Sequence, residues 1–253
     1  MVEPSLLTIE WRSVFRRLLA GLALMSLAAA HAGKPDNLNE GEMALIPAYC
    51  PDTMGFNYGD AYSNTSPKAK HWVGLMGHSF WHMHHYCWAL LNLRRADAAG
   101  RTAQERRALR ESAVGDIGYV VKNSPSNFVL MPEILTKLGG VQLLLSDIGG
   151  AYDSFLRARS LKPDYWPAYS DWAEVLIKSG QKPLAKVIVQ TGLEHAPDSK
   201  VLQDQFRSLG GNPAGIVPIP KPPAPAAIAN DPVEGTESAT SAEKSAGPVP
   251  QKP

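Results

Sequence analysis

An all-α protein, built from antiparallel helix pairs stacked in a row, is what this sequence predicts. Three observations point there. No stretch between Ser66 and Gly211 sustains the period-two alternation of a strand. Helix start and stop signals recur through the same region, and small residues return within it at a step of 34. Of the 253 residues, 44% are hydrophobic, which is enough for a core, while 25 basic residues against 24 acidic ones create no field that points to nucleic acid.

The chain begins with a segment that reads as an address rather than as structure. Arg12, Arg16 and Arg17 precede the charge-free apolar run Leu18–Ala30, which closes on Ala30-His31-Ala32. A basic head, a short apolar centre and small residues at its end define a secretory signal, so residues 1–32 are expected to be cleaved after Ala32. The run is too short to cross a hydrocarbon core of about 30 Å, and no transmembrane helix is expected after cleavage. The mature chain would carry 22 basic and 22 acidic residues and reside in the periplasm.

Residues 33–66 are rich in Gly, Asn, Asp and Pro, with turn signals at Pro35-Asp36, Cys50-Pro51 and Tyr58-Gly59-Asp60, and are expected to form an irregular lead-in. Ser66-Pro67 then supplies a helix cap and a proline suited to the first helical position. One long helix is expected from there to about Ala98. Thr102-Ala103-Gln104-Glu105 has the capping-box pattern, and the helix it opens runs to Asn123, where Ser124-Pro125 stops it. Residues 67–125 thus read as a long helical hairpin.

Residues 126–211 carry the repeat. At a spacing of 34, Ala151 aligns with Ala185, Phe155 with Val189, Ala158 with Gly192 and Pro163 with Pro197; upstream, Leu138-Gly139 aligns with Trp172-Ala173. Small residues at Gly139, Ala151, Ala158, Ala173, Ala185 and Gly192 let paired helices approach closely, and Phe155, Trp172 and Leu176 fill the space between pairs. A proline ends each second helix. Val201, Leu202 and Phe206 fall on one side of a short helix that would cap the last unit.

This pattern resembles the tetratricopeptide repeat, most clearly in the stretches Ala151-Tyr152-Asp153-Ser154-Phe155-Leu156-Arg157-Ala158 and Pro167–Leu176. The resemblance covers residues 132–199 as two units, and Ala113, Ile117, Val120 and Pro125 repeat the second-helix steps as a degenerate earlier one. It implies a short right-handed solenoid. Departures are Gln142, where the family usually has an aromatic residue, and Gly149-Gly150, which would loosen a helix start by roughly 1 kcal/mol per glycine. In that family the first helices line a concave groove that holds a partner. By matching positions, the groove here would be lined by Glu133, Thr136, Gly140, Leu143, Ser170, Glu174, Ile177 and Lys178.

The end of the chain, residues 212–253, contains ten prolines and no aromatic residue, and is expected to be a disordered tail.

Two further features bear on chemistry. Residues 71–92 hold five of the seven histidines. On a continuous helix His71, His78, His82 and His85 share one face, flanked by Trp81 and Trp88, with His84 opposite. The i, i+4 pair His78 and His82 has the spacing for zinc or copper, and His85 would need a tilt to join them, so a periplasmic metal or haem carrier is the competing reading to packed aromatics. The two cysteines, Cys50 and Cys87, would pair economically in an oxidising compartment, closing a loop of about 36 residues; two reduced thiols are the alternative.

No nucleophile elbow, phosphate-binding loop or dinucleotide fingerprint is present in the sequence. The sequence therefore predicts no enzyme and requires no cofactor. It predicts a binding module, an adaptor or assembly factor for another envelope protein or peptide segment, in an export or polysaccharide complex by analogy.

Overall fold

The computed structural model describes residues 35–54, 56 and 67–220. The expected signal (1–32), the Ser66 cap, and the tail beyond Pro220 lie outside the described residues. Every regular element among the described residues is helical. In chain order these are α1 (Glu40–Met43), a 3-10 turn (Cys50–Asp52), α2 (Pro67–Met76), a 3-10 segment (Gly77–His82), α3 (Met83–Asp97), α4 (Ala103–Asn123), α5 (Met131–Leu144), α6 (Ile148–Leu161), α7 (Pro167–Lys178), α8 (Lys182–His195), α9 (Lys200–Ser208) and a final 3-10 turn (Pro213–Gly215).

The expected helix from Pro67 to Ala98 is broken, and the break has a local cause. Gly77 has φ +63, a left-handed conformation that ends α2 and that other residues adopt at a cost. The chain then winds as 3-10 helix through His82 before α3 begins. A 3-10 stretch advances by three residues per turn rather than 3.6, so the continuous histidine face drawn across 71–92 does not form. The capping box, in contrast, is in place: Thr102 accepts from the Glu105 amide at 3.2 Å, and the Glu105 carboxylate accepts from the Thr102 amide at 2.7 Å.

Neighbours in sequence are neighbours in space. The pairs α3/α4, α5/α6 and α7/α8 pack together, α5 also meets α4 and α7, and α9 lies against α8 and α7. A single apolar core runs from Ile46 to Phe206 through every pair. Small residues set the spacing inside it. A Cβ on Gly139 would stand 2.9 Å from the Phe155 ring, and one on Gly192 would stand 2.8 Å from Leu202 Cδ1 and 2.9 Å from Tyr169. These are distances that packed atoms do not adopt, so both glycines are required by helix approach.

The lead-in is held to the α2/α3 region by specific bonds. Cys50 and Cys87 form a disulfide across a separation of 37 residues. Trp72 donates its Nε1–H to Asp52 at 2.9 Å, and Arg95 pairs with Glu42 through two nitrogens. Arg94 donates to the Leu45 carbonyl. At the other end, order continues past the expected boundary at 212. Asn212 caps the last 3-10 turn, Ile216 packs against the core, and the Ile219 amide donates to the Glu194 carbonyl at 2.7 Å, so this compact unit ends at Ile219.

Candidate functional site: a groove between α5 and α7

One face of α5 and one of α7 converge on a recess of about 820 Å³. From α5 come Glu133, Thr136, Lys137, Gly140, Val141 and Leu144, at steps i, i+3, i+4, i+7, i+8 and i+11, which is one helical stripe. From α7 come Asp171, Glu174, Val175 and Lys178, again a stripe. Leu93 and Asp97 close one end from α3, Ile148 and Phe155 enter from α6, and Tyr165 and Pro167 precede and open α7.

Six of the eight expected groove residues line this recess: Glu133, Thr136, Gly140, Leu143, Glu174 and Lys178. Ser170 and Ile177 do not. Ser170 is buried, its backbone carbonyl accepting from Gln205 Nε2 of α9 at 3.3 Å, and Ile177 packs against the core. The groove stripe of α7 is therefore centred about one residue further along, on Asp171, Glu174/Val175 and Lys178. Matching positions place its centre roughly 65° away on the helix, with Glu174 and Lys178 common to both. Thr136 is itself mostly buried and its hydroxyl bonds back to the Pro132 carbonyl at 2.8 Å.

The polar groups of the recess are unevenly compensated. Asp97 is held by Arg110 at 3.1 Å, and Glu174 by Lys178 at 3.5 Å. The second pair is solvent-exposed and contributes about 0–1 kcal/mol. Asp171 is exposed as a residue, yet the atoms crowding its carboxyl raise it above its ordinary value, with the Glu174 charge second and Lys137 opposing. Glu133 differs in its burial and in its neutral hydrogen-bond donor. It is half-buried, and Tyr86 donates a hydrogen bond to its Oε1 at 2.9 Å; no cation pairs with it among the described residues. Its charge is felt by three phenols: burial followed by Glu133 pushes Tyr165 up to about 12, and the same two causes raise Tyr49 and Tyr86.

The histidines form a separate cluster between the 3-10 segment, α3 and α4. His85 Nδ1 lies 2.7 Å from Asp116 Oδ1 on α4, and the His85 ring packs at 4.0 Å from that of Tyr119. His78 and His82 stand with ring centroids 5.9 Å apart, and His82 meets Tyr119 at 5.7 Å. His71 meets the Trp72 ring edge-on instead. His84 is buried, bonds the Trp81 carbonyl at 2.9 Å, and is pushed down to about 4, chiefly by burial and then by neighbouring His85. No group of three His, Cys, Asp or Glu among the described residues could hold a metal ion. The imidazole of His85 is spent on a buried carboxylate, which ties α3 to α4.

No family model, curated protein or solved structure matches the chain. No described helix is long and apolar enough to cross a membrane.

Sequence reasoning missed Lys137 and Asp171, although each lies one helical turn from a residue it named. It also missed Leu93, Asp97 and Tyr165. These reach the recess from outside the repeat steps, and the Tyr86–Glu133 bond spans 47 positions, so no local pattern announces them.

Proposed function

We propose that the chain is an exported protein of the tetratricopeptide-repeat kind whose α5/α7 groove binds a segment of another envelope protein, making it an adaptor or assembly factor. The observation that carries this reading is the convergence of two helical stripes, one from each first helix of the 34-residue units, on a single recess with an apolar floor and charged edges. The pair order supports the repeat reading: α5 meets α7 while α6 and α8 pack behind them as second helices. Much of each stripe lies outside the core. Val141 is buried in it and Val175 packs against it, but Lys137, Leu144, Asp171, Glu174 and Lys178 are exposed.

The recess sets carboxylates, ammonium groups and apolar surface side by side. It offers shape, apolar area and fixed charge, which are the means of recognition. Gly140 provides the test, because a Cβ there meets nothing within 4 Å and a large side chain would project into open groove. Full-length protein carrying a photo-crosslinking residue at Gly140 or Leu144 should yield discrete adducts in intact cells. The same probe at Arg157, exposed on α6 outside the groove, should not. Equal adducts at all three positions, or none at the groove positions, would count against the reading.

A further inference from the structure

We infer that Glu133 is the specificity anchor of the groove, and that the partner segment is an amphipathic helix presenting one cationic side chain at the centre of its apolar face. This rests on the groove being the binding surface.

Three observations select that partner. First, the recess is lined mainly by apolar groups: Leu93, Val141, Leu144, Ile148, Phe155 and Val175. Leu144 and Ile148 are each more than half exposed, a state that a docked apolar face would relieve. Second, Glu133 is a half-buried carboxylate of the recess that forms no ion pair among the described residues; Asp171 forms none either, but it is exposed and lies in the field of Lys137. Asp97 has Arg110 and Glu174 has Lys178, whereas Glu133 has the neutral Tyr86 hydroxyl on one oxygen. A carboxylate held in place by a buried tyrosine, beside Tyr165, is a fixed acceptor for an ammonium or guanidinium group. Third, the described residues contain no strand. An extended peptide would find no sheet edge to satisfy its backbone, while a helix satisfies its own and reads the groove through side chains at i, i+3, i+4 and i+7.

Specificity follows from the asymmetry of the site. A segment with a neutral residue opposite Glu133 would remove water from the carboxylate without replacing those hydrogen bonds, and one with an acidic residue would add repulsion. Lys137 and Lys178 lie at the edges of the recess and set the orientation of the helix rather than its class.

The test uses the mature full chain and three fluorescent 16-residue helical peptides, identical in their leucine stripe and carrying Arg, Gln or Glu at the central position. Fluorescence anisotropy should show the Arg peptide binding about tenfold tighter than the Gln peptide, with the Glu peptide weaker still. In Glu133→Gln, which can still accept from Tyr86, the Arg and Gln peptides should bind within about twofold of each other. Tyr86→Phe should keep the Arg preference while the fold is verified by its melting curve. Equal binding of the three peptides to the wild type overturns the inference, as does an Arg preference that survives Glu133→Gln or the failure of all three to bind. Groove-specific crosslinks at Gly140 and Leu144 would, in each of those cases, leave the groove reading standing.

Discussion

The two halves of this molecule are held together in different ways. From Met131 to Ser208 the helices pack on their immediate neighbours through apolar side chains set against small residues: Phe155 over Gly139, and Tyr169 and Leu202 over Gly192. Before that, the same apolar core is supplemented by individual bonds that join the lead-in, α2 and α3 between residues far apart in sequence. These include the disulfide at a separation of 37, Arg95 to Glu42 at 53, and Trp72 to Asp52 at 20. The first kind of order is distributed, so no single contact defines it. The second depends on a few links, each of which fixes a segment that has little regular structure of its own.

If the repeat half is held by packing, its costliest substitution should be the removal of a filler. Phe155→Ala, at a fully buried ring in contact with Trp172 and Gly139, should lower unfolding stability by about 3–5 kcal/mol in chemical denaturation. The lead-in should answer instead to its staple. In the chain-entropy account, Cys50→Ser with Cys87→Ser should cost roughly 3–4 kcal/mol. Hydrogen exchange should then rise across residues 35–54 and α2, with α5–α9 little changed. Exchange that rises uniformly through the molecule would show that the two halves are one cooperative unit and that the contrast is only descriptive.

The same contrast explains what could be read from the sequence. The helices of the repeat half, their small-residue contacts and the cap at α9 are local patterns, and six groove residues follow from them. The break at Gly77 was hidden because Gly74 and Gly77 differ in nothing that a sequence displays, yet only Gly77 takes a positive φ. The groove stripe of α7 was misplaced by one residue because helical spacing fixes the residues of a face but not the rotation of that face against a neighbour. Ser170 and Asp171 are adjacent, and packing of α7 buries the first and leaves the second exposed. The anchor at Glu133 depends on Tyr86, a partner from a different helix pair.

Acid should separate the halves further. His84 has a folded value near 4 against an ordinary 6.5, so the unfolded chain binds the extra proton between those limits. Its contribution is complete above about pH 6.5 and is lost as pH falls toward 4, by no more than roughly 3 kcal/mol. His82, also lowered by burial, acts in the same direction. Glu42, lowered by Arg95, adds a loss at still lower pH as its carboxylate protonates. In the groove Asp171 has the opposite sign: its raised carboxyl is easier to protonate folded than unfolded, so its destabilising effect fades as pH falls. Urea midpoints should therefore drop between pH 7 and pH 5, and His84→Gln, which cannot titrate but retains a donor for the Trp81 carbonyl, should flatten that drop. An identical pH slope in the variant would remove His84 as its source.

The smallest expected effect lies at the point where the repeat half departs from its own pattern. Gln142, in a position where the resemblance calls for an aromatic ring, accepts from the Ser154 hydroxyl at 2.7 Å and donates to Asp147 at 3.4 Å. Asp147 in turn caps α6 by accepting from the Gly150 amide at 3.0 Å. A Cβ at Gly150 would enter the space held by the Asp147 carboxylate and the Gln142 amide, so the glycine and the polar clamp require one another. The corresponding turn before α8 has Gln181 as its cap residue with no side-chain hydrogen bond. Asp147→Ala should then cost about 1 kcal/mol, the usual worth of a helix cap, while Gln181→Ala should be close to neutral. Equal effects at the two turns would mean that the clamp is incidental, and that the first unit is held by packing alone, like the second.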